Sequence, residues 1–219
     1  TYKPEFAFSK TQPVAAAGAV AYIFLSGHRS EFQGNELSSP IIRRSIQTVK
    51  SAQAKDGSFG SNDQSGTDRV YPTVAAVLAL ISAQNSDYEA SIASAQNWLT
   101  KQKTPGLDTM GKLLILIGIH GETVNEANAS DFLKLVSDLE PSATPEARAL
   151  HQLGSALMRN FLDKGGKLSD PAIEKLPSWG DLSSSASVTL AECQNSSNVP
   201  AACIAVRTLH HCMNANKRK

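Results

Sequence analysis

The segment Gln53-Ala54-Lys55-Asp56-Gly57-Ser58-Phe59-Gly60 constrains the fold more than any other stretch of this chain. It closes one helical pattern. After a polar loop, the run from Tyr71 to Leu80 opens another. Asp-Gly is turn chemistry, so the segment is punctuation between two helices. The two helices differ in kind. On the first, Pro40 suits the opening position, and Ile41, Ile42, Ile46 and Val49 recur at spacings of three and four between Arg43, Arg44, Gln47 and Lys50. That is one apolar face on a surface helix. The second is apolar nearly all round, which predicts burial on most sides.

The alternation continues along the chain. Asp87 is expected to cap an amphipathic helix carrying Ile92, Ala95, Trp98 and Leu99, which stops at Pro105-Gly106. Met110–Ile119 is again apolar almost throughout and closes at Gly121. Amphipathic helices follow over Asp131–Glu140 and from Thr144-Pro145 to Phe161, ended by Gly165-Gly166. Pro171–Leu176 reads as a short helical piece, Ser184–Cys193 and Ala201–Met213 as two more, and Val14–Leu25 as a helix of small residues. No strand is predicted. Laying Gln53 on Gln102 places Val49 on Trp98, a period of about 49 residues. Internal periods of this size indicate stacked helical hairpins. The pattern predicts Leu78 and Leu114 in an inner layer, with Arg44 and Lys101 exposed.

Composition supports an all-α reading as a single domain over residues 1–219, with the clearest repeats at 40–121. Hydrophobic residues make up 41% of the chain and aromatic residues only 6%, a balance that favours close-packed helices over a sheet. The formal charge of +1 supplies no field for nucleic acid or an anionic membrane. No apolar stretch reaches the roughly 18–20 residues a transmembrane helix needs. The chain opens on Thr1, from which removal of an upstream segment is expected, with a secreted or periplasmic location as one consequence. Cys193, Cys203 and Cys212 cluster late; a Cys193–Cys203 disulfide and buried free thiols are both open readings.

Trp98-Leu99-Thr100-Lys101-Gln102 in one copy, and Gln53 with Asp56-Gly57-Ser58-Phe59-Gly60 in the other, resemble the repeats of squalene–hopene cyclases and protein prenyltransferases. In that pattern an outer helix ends Trp-Leu-x-x-Gln, a turn follows, and an inner helix comes next; Thr73–Leu80 resembles the inner helix. The resemblance covers about Pro40–Gly121. It implies an α/α toroid-like ring of helical hairpins, complete or incomplete, whose inner helices point their N-terminal ends at a central cavity.

The catalytic motifs of either enzyme are missing from the sequence. Asp68-Arg69-Val70-Tyr71 is similar to the zinc-binding segment of prenyltransferases, but Pro72 stands where the ligand cysteine would be, so no metal or other cofactor is expected. The Asp-x-Asp-Asp acid cluster of the cyclases has no counterpart. The candidate ligand-binding residues are Asp63, Asp68, Arg69 and Tyr71 at the mouth of one inner helix and Asp108 at the next, with a helix cap as the plain alternative for Asp68 and Asp108. His120 suits a helix C-terminus, and His151 reads as a core residue. His210, His211 and Cys212 with Cys203 could hold a metal in principle, but adjacent histidines point about 100° apart on a helix and rarely ligate together. Asn128-Ala129-Ser130 and Asn195-Ser196-Ser197 fit glycosylation sequons. The expected function is a non-catalytic binding module that holds a peptide, protein or apolar ligand on a concave or central surface. The alternative is an enzyme (terpenoid cyclase-, transferase- or lyase-like) acting on an apolar or polysaccharide substrate through Asp68 and Asp108.

Overall fold

A computed structural model describes residues 13–27, 39–60, 67–102, 107–140, 144–196 and 198–217. Among these the protein is helical: α1 (Pro13–Gly27), α2 (Pro40–Ser51), α3 (Val70–Ala83), α4 (Glu89–Lys101), α5 (Thr109–His120), α6 (Ala129–Asp138), α7 (Pro145–Asp163), α8 (Trp179–Ser196) and α9 (Val199–Asn216). Short 3-10 turns occupy Thr67–Arg69, Ser86–Tyr88 and Pro171–Lys175. The described residues hold no strand, only an isolated antiparallel bridge between Gln53 and Phe59. No helix there is long and apolar enough to cross a membrane.

The chain divides into two compact units, residues 1–107 with 114–121, and residues 108–113 with 122–219. In the first unit α3 is central and packs against α1, α2 and α4. Every residue from Val70 to Leu80 is buried, as an all-round apolar helix requires. Small residues allow the close approach: a Cβ on Gly18 of α1 would lie 2.9 Å from the Ala75 carbonyl carbon of α3. The amphipathic helices bury one face each, Ile42, Ile46 and Val49 on α2 and Ala95, Trp98 and Leu99 on α4. Leu78 and Leu114 are buried and Arg44 and Lys101 exposed, as the alternation predicts.

In the second unit α7 is the hub, packed by α6, α8 and α9. Its apolar face, Ala147, Leu150, Leu153, Leu157 and Phe161, is buried. Thr144 caps α7 by accepting from the Ala147 N–H at 3.1 Å, with Pro145 in the first position. Two starts differ from the sequence reading. Asn85, not Asp87, caps the segment leading into α4: its side chain accepts from the Asp87 N–H at 2.9 Å. Helix α8 begins at Trp179, five residues before Ser184, because Ser178 and Asp181 form a reciprocal capping box.

Candidate functional site

The Gln53–Gly60 segment is a closed joint. The Gln53 amide donates to the Gly57 carbonyl at 3.2 Å and to the Ser91 carbonyl of α4 at 2.9 Å. One carboxylate oxygen of Asp56 accepts from the Ser58 N–H at 3.0 Å and from its hydroxyl at 2.7 Å. These bonds, with smaller contributions from Arg69 and a hydrogen bond from Trp98, hold the Asp56 carboxyl below its usual range. Gly57 sits at φ +93°, and a Cβ there would lie 2.5 Å from the Ser94 carbonyl oxygen, so the turn lies directly on α4. Phe59 is fully buried, and its N–H donates to the Thr73 hydroxyl of α3 at 3.0 Å. Gln53, laid on Gln102 in the sequence reading, and Trp98, laid on Val49, meet at this joint. Each ties it to α4.

The joint reaches the mouth of α3 through Arg69, whose guanidinium donates to the Ser58 hydroxyl at 3.2 Å and lies 3.7 Å from Asp56. Asp68 is exposed in the same 3-10 turn. Arg69 occupies the N-cap position of α3 and makes no side-chain cap bond. Tyr71 is buried at 9% exposure within α3. Asp63 lies outside the described residues. Asp108 belongs to the other unit, where its carboxylate accepts from the Gly111 N–H at 2.8 Å, an N-cap bond at the start of α5. Arg69 is thus brought together with Asp56 and Ser58, while Asp68 lies exposed beside it in the turn and Asp108 caps its own helix.

All three cysteines are free thiols, where the sequence left a Cys193–Cys203 bridge open. Cys193 packs against Ala149 and Ala201, and Cys212 against Ala156 and Leu182. Burial raises all three thiols, Cys203 to about 11, away from nucleophilic use. His151 is half-buried, and that burial pushes it down. Asn128 of the first sequon is buried, accepts from the Asn125 N–H at 2.9 Å and donates to the Thr123 carbonyl at 3.0 Å. Its side chain is committed to the turn before α6. Among the described residues no group of three or more His, Cys, Asp or Glu could hold a metal ion.

The strongest electrostatic feature is one that sequence reading missed. Glu122 follows Gly121 after α5, and both have positive φ, +64° and +58°. A non-glycine residue held there costs on the order of 1–3 kcal/mol, which its surroundings must offset. They do so with charge. The Arg207 guanidinium of α9 forks onto the Glu122 carboxylate, Nε at 3.0 and 3.2 Å and Nη2 at 2.7 Å. His211 Nε2 lies 3.8 Å from the same carboxylate, and His211 Nδ1 lies 2.7 Å from the Asn160 amide nitrogen of α7. Burial would raise the Glu122 carboxyl, but Arg207 and His211 overcome it and bring it from 4.5 to about 2. The side chains of Glu122, Arg207 and His211 are only 8%, 14% and 12% exposed. The faint signal was Glu122 directly after a helix-ending Gly121, and Arg207 within an otherwise apolar stretch of α9.

Comparison with protein-family models, curated proteins and solved structures finds no match to this chain. The structure defines the class as an all-α protein of packed helices.

Proposed function

We propose that this chain is a non-catalytic binding module. On this reading its helix pairs are repeats of the prenyltransferase and squalene-cyclase type, from an α/α toroid-like stack, and a peptide, protein or apolar ligand is held on the concave or central surface. The observation that carries it is the use made of the polar residues at the joint. Gln53, Asp56, Ser58 and Trp98 hold the joint against α4, and the mouth of α3 with its exposed Asp68 lies next to it in the chain. Curved stacks of helix pairs offer extended surfaces for partners. The enzymic alternative asks Asp108 for acid–base work, whereas its carboxylate accepts the Gly111 N–H as a cap. No observation favours that alternative.

The test is a selection from a random dodecapeptide display library, followed by calorimetry and mass spectrometry of the selected peptide. The expected result is saturable one-to-one binding with the peptide recovered chemically unchanged. Recovery of a cleaved or modified peptide, lost in Asp68→Asn or Asp108→Asn, would overturn the reading.

A further inference from the structure

We propose that Glu122, Arg207, His211 and Asn160 form a proton-operated latch that fixes the turn 122–128 against α9. The Asn160 Oδ1 atom is buried without a hydrogen-bond partner, while its amide nitrogen lies 2.7 Å from His211 Nδ1. With the amide nitrogen facing it, Nδ1 accepts only in a neutral ring that carries its proton on Nε2; which nitrogen is protonated depends on the tautomer. Turning the Asn160 amide over by 180° gives Oδ1 a donor, the Nδ1–H of a doubly protonated ring. The imidazolium then faces an acceptor on one side and the Glu122 carboxylate on the other, and the 3.8 Å gap to Glu122 is drawn into a charge-assisted hydrogen bond. Each further bond to Glu122 helps hold its positive φ and, with it, the turn.

The charged groups on the helices packed with α9 have their own partners. Glu122 faces His211 from the turn, and Arg207 shares its helix one turn earlier, committed to the same carboxylate. His210 and Cys212 flank it on α9. From α7, Arg159 donates to the Leu176 and Pro177 carbonyls, and Asp163 accepts from the Trp179 indole. From α8, Asp181 is bound to Ser178, and Glu192 to Arg148 of α7.

The sign follows from which form the fold favours. A proton held more tightly in the folded chain stabilises fully below the unfolded histidine value of about 6.5, and that stability is lost as pH rises through the folded value. The experiment is amide hydrogen exchange of Thr123–Asn128 in the full chain between pH 5.5 and 8, corrected for intrinsic rates. Protection should fall about tenfold across that range in the wild type and in His210→Gln, and stay flat in His211→Gln. A flat wild-type profile, or one unchanged by His211→Gln, would overturn the latch. Should His211→Gln not fold, the NMR titration of wild-type His211 decides: a midpoint above that of the urea-unfolded chain supports the latch, and one at or below it refutes it.

Discussion

Replacing Gln53 by Ala tests whether the opening segment is structural. The side chain supplies two hydrogen bonds, to the Gly57 carbonyl at 3.2 Å and the Ser91 carbonyl at 2.9 Å. A net hydrogen bond is worth about 1 kcal/mol, and acceptors left behind without water lose more. Gly57 is buried and Ser91 half-buried, so the expected loss is about 2 kcal/mol. In a chain of 219 residues that lowers the unfolding temperature by about 4–8 °C. Gln53→Glu keeps the size but removes the donor and faces a carboxylate with carbonyls, so it should cost at least as much. The exposed Lys55→Ala should stay within about 0.5 kcal/mol of wild type. The assay is urea and thermal unfolding followed by circular dichroism at 222 nm. A Gln53→Ala protein within about 0.5 kcal/mol of wild type would refute the architectural reading of the joint.

Gly57→Ala should be worse than Gln53→Ala, because the turn needs φ +93° and the added methyl meets the Ser94 carbonyl oxygen at 2.5 Å; calorimetry should show a loss above about 2 kcal/mol. Glu122 gives the acid limb of the stability curve. Its folded value is depressed, so its contribution is present above 4.5 and is lost as pH falls toward about 2; at about 1.4 kcal/mol per pH unit this amounts to about 3 kcal/mol. Urea unfolding at pH 7, 4 and 2.5 should show that slope, and Glu122→Gln should flatten it while costing about 3–5 kcal/mol at pH 7 by leaving Arg207 buried without its counter-charge. Asp108→Ala should cost about 1 kcal/mol, the usual value of an N-cap, by the same unfolding measurement.

The helices were legible because period and burial agree. The all-round apolar run at Val70–Leu80 could only be buried, and Ile42, Ile46 and Val49 could only make one face. Boundaries failed where a cap overrode composition. Ser178 and Asp181 start α8 early, and Asn198 starts α9 at Val199 by accepting from the Ala201 N–H at 3.2 Å. The joint was readable as a turn, but its ties to α4 were not. The Gln53–Ser91 bond joins residues 38 positions apart and depends on packing that no local pattern encodes. The Glu122 cluster is the extreme case. Arg207 stands 85 positions from Glu122, and only the folded unit brings the two together. Asp68 and Asp108 looked equivalent in sequence; in the fold one is exposed in a 3-10 turn and the other is an N-cap.

On the proposed function, the joint serves architecture while the α3 mouth beside it receives a ligand. Hydrogen exchange of the full chain, with and without a peptide selected from the dodecapeptide library, tests it most directly. The account predicts added protection at the start of α3, around Asp68–Thr73, with the already buried Phe59 amide unchanged. Protection confined to other helices, with Asp68–Thr73 unaffected, would contradict it.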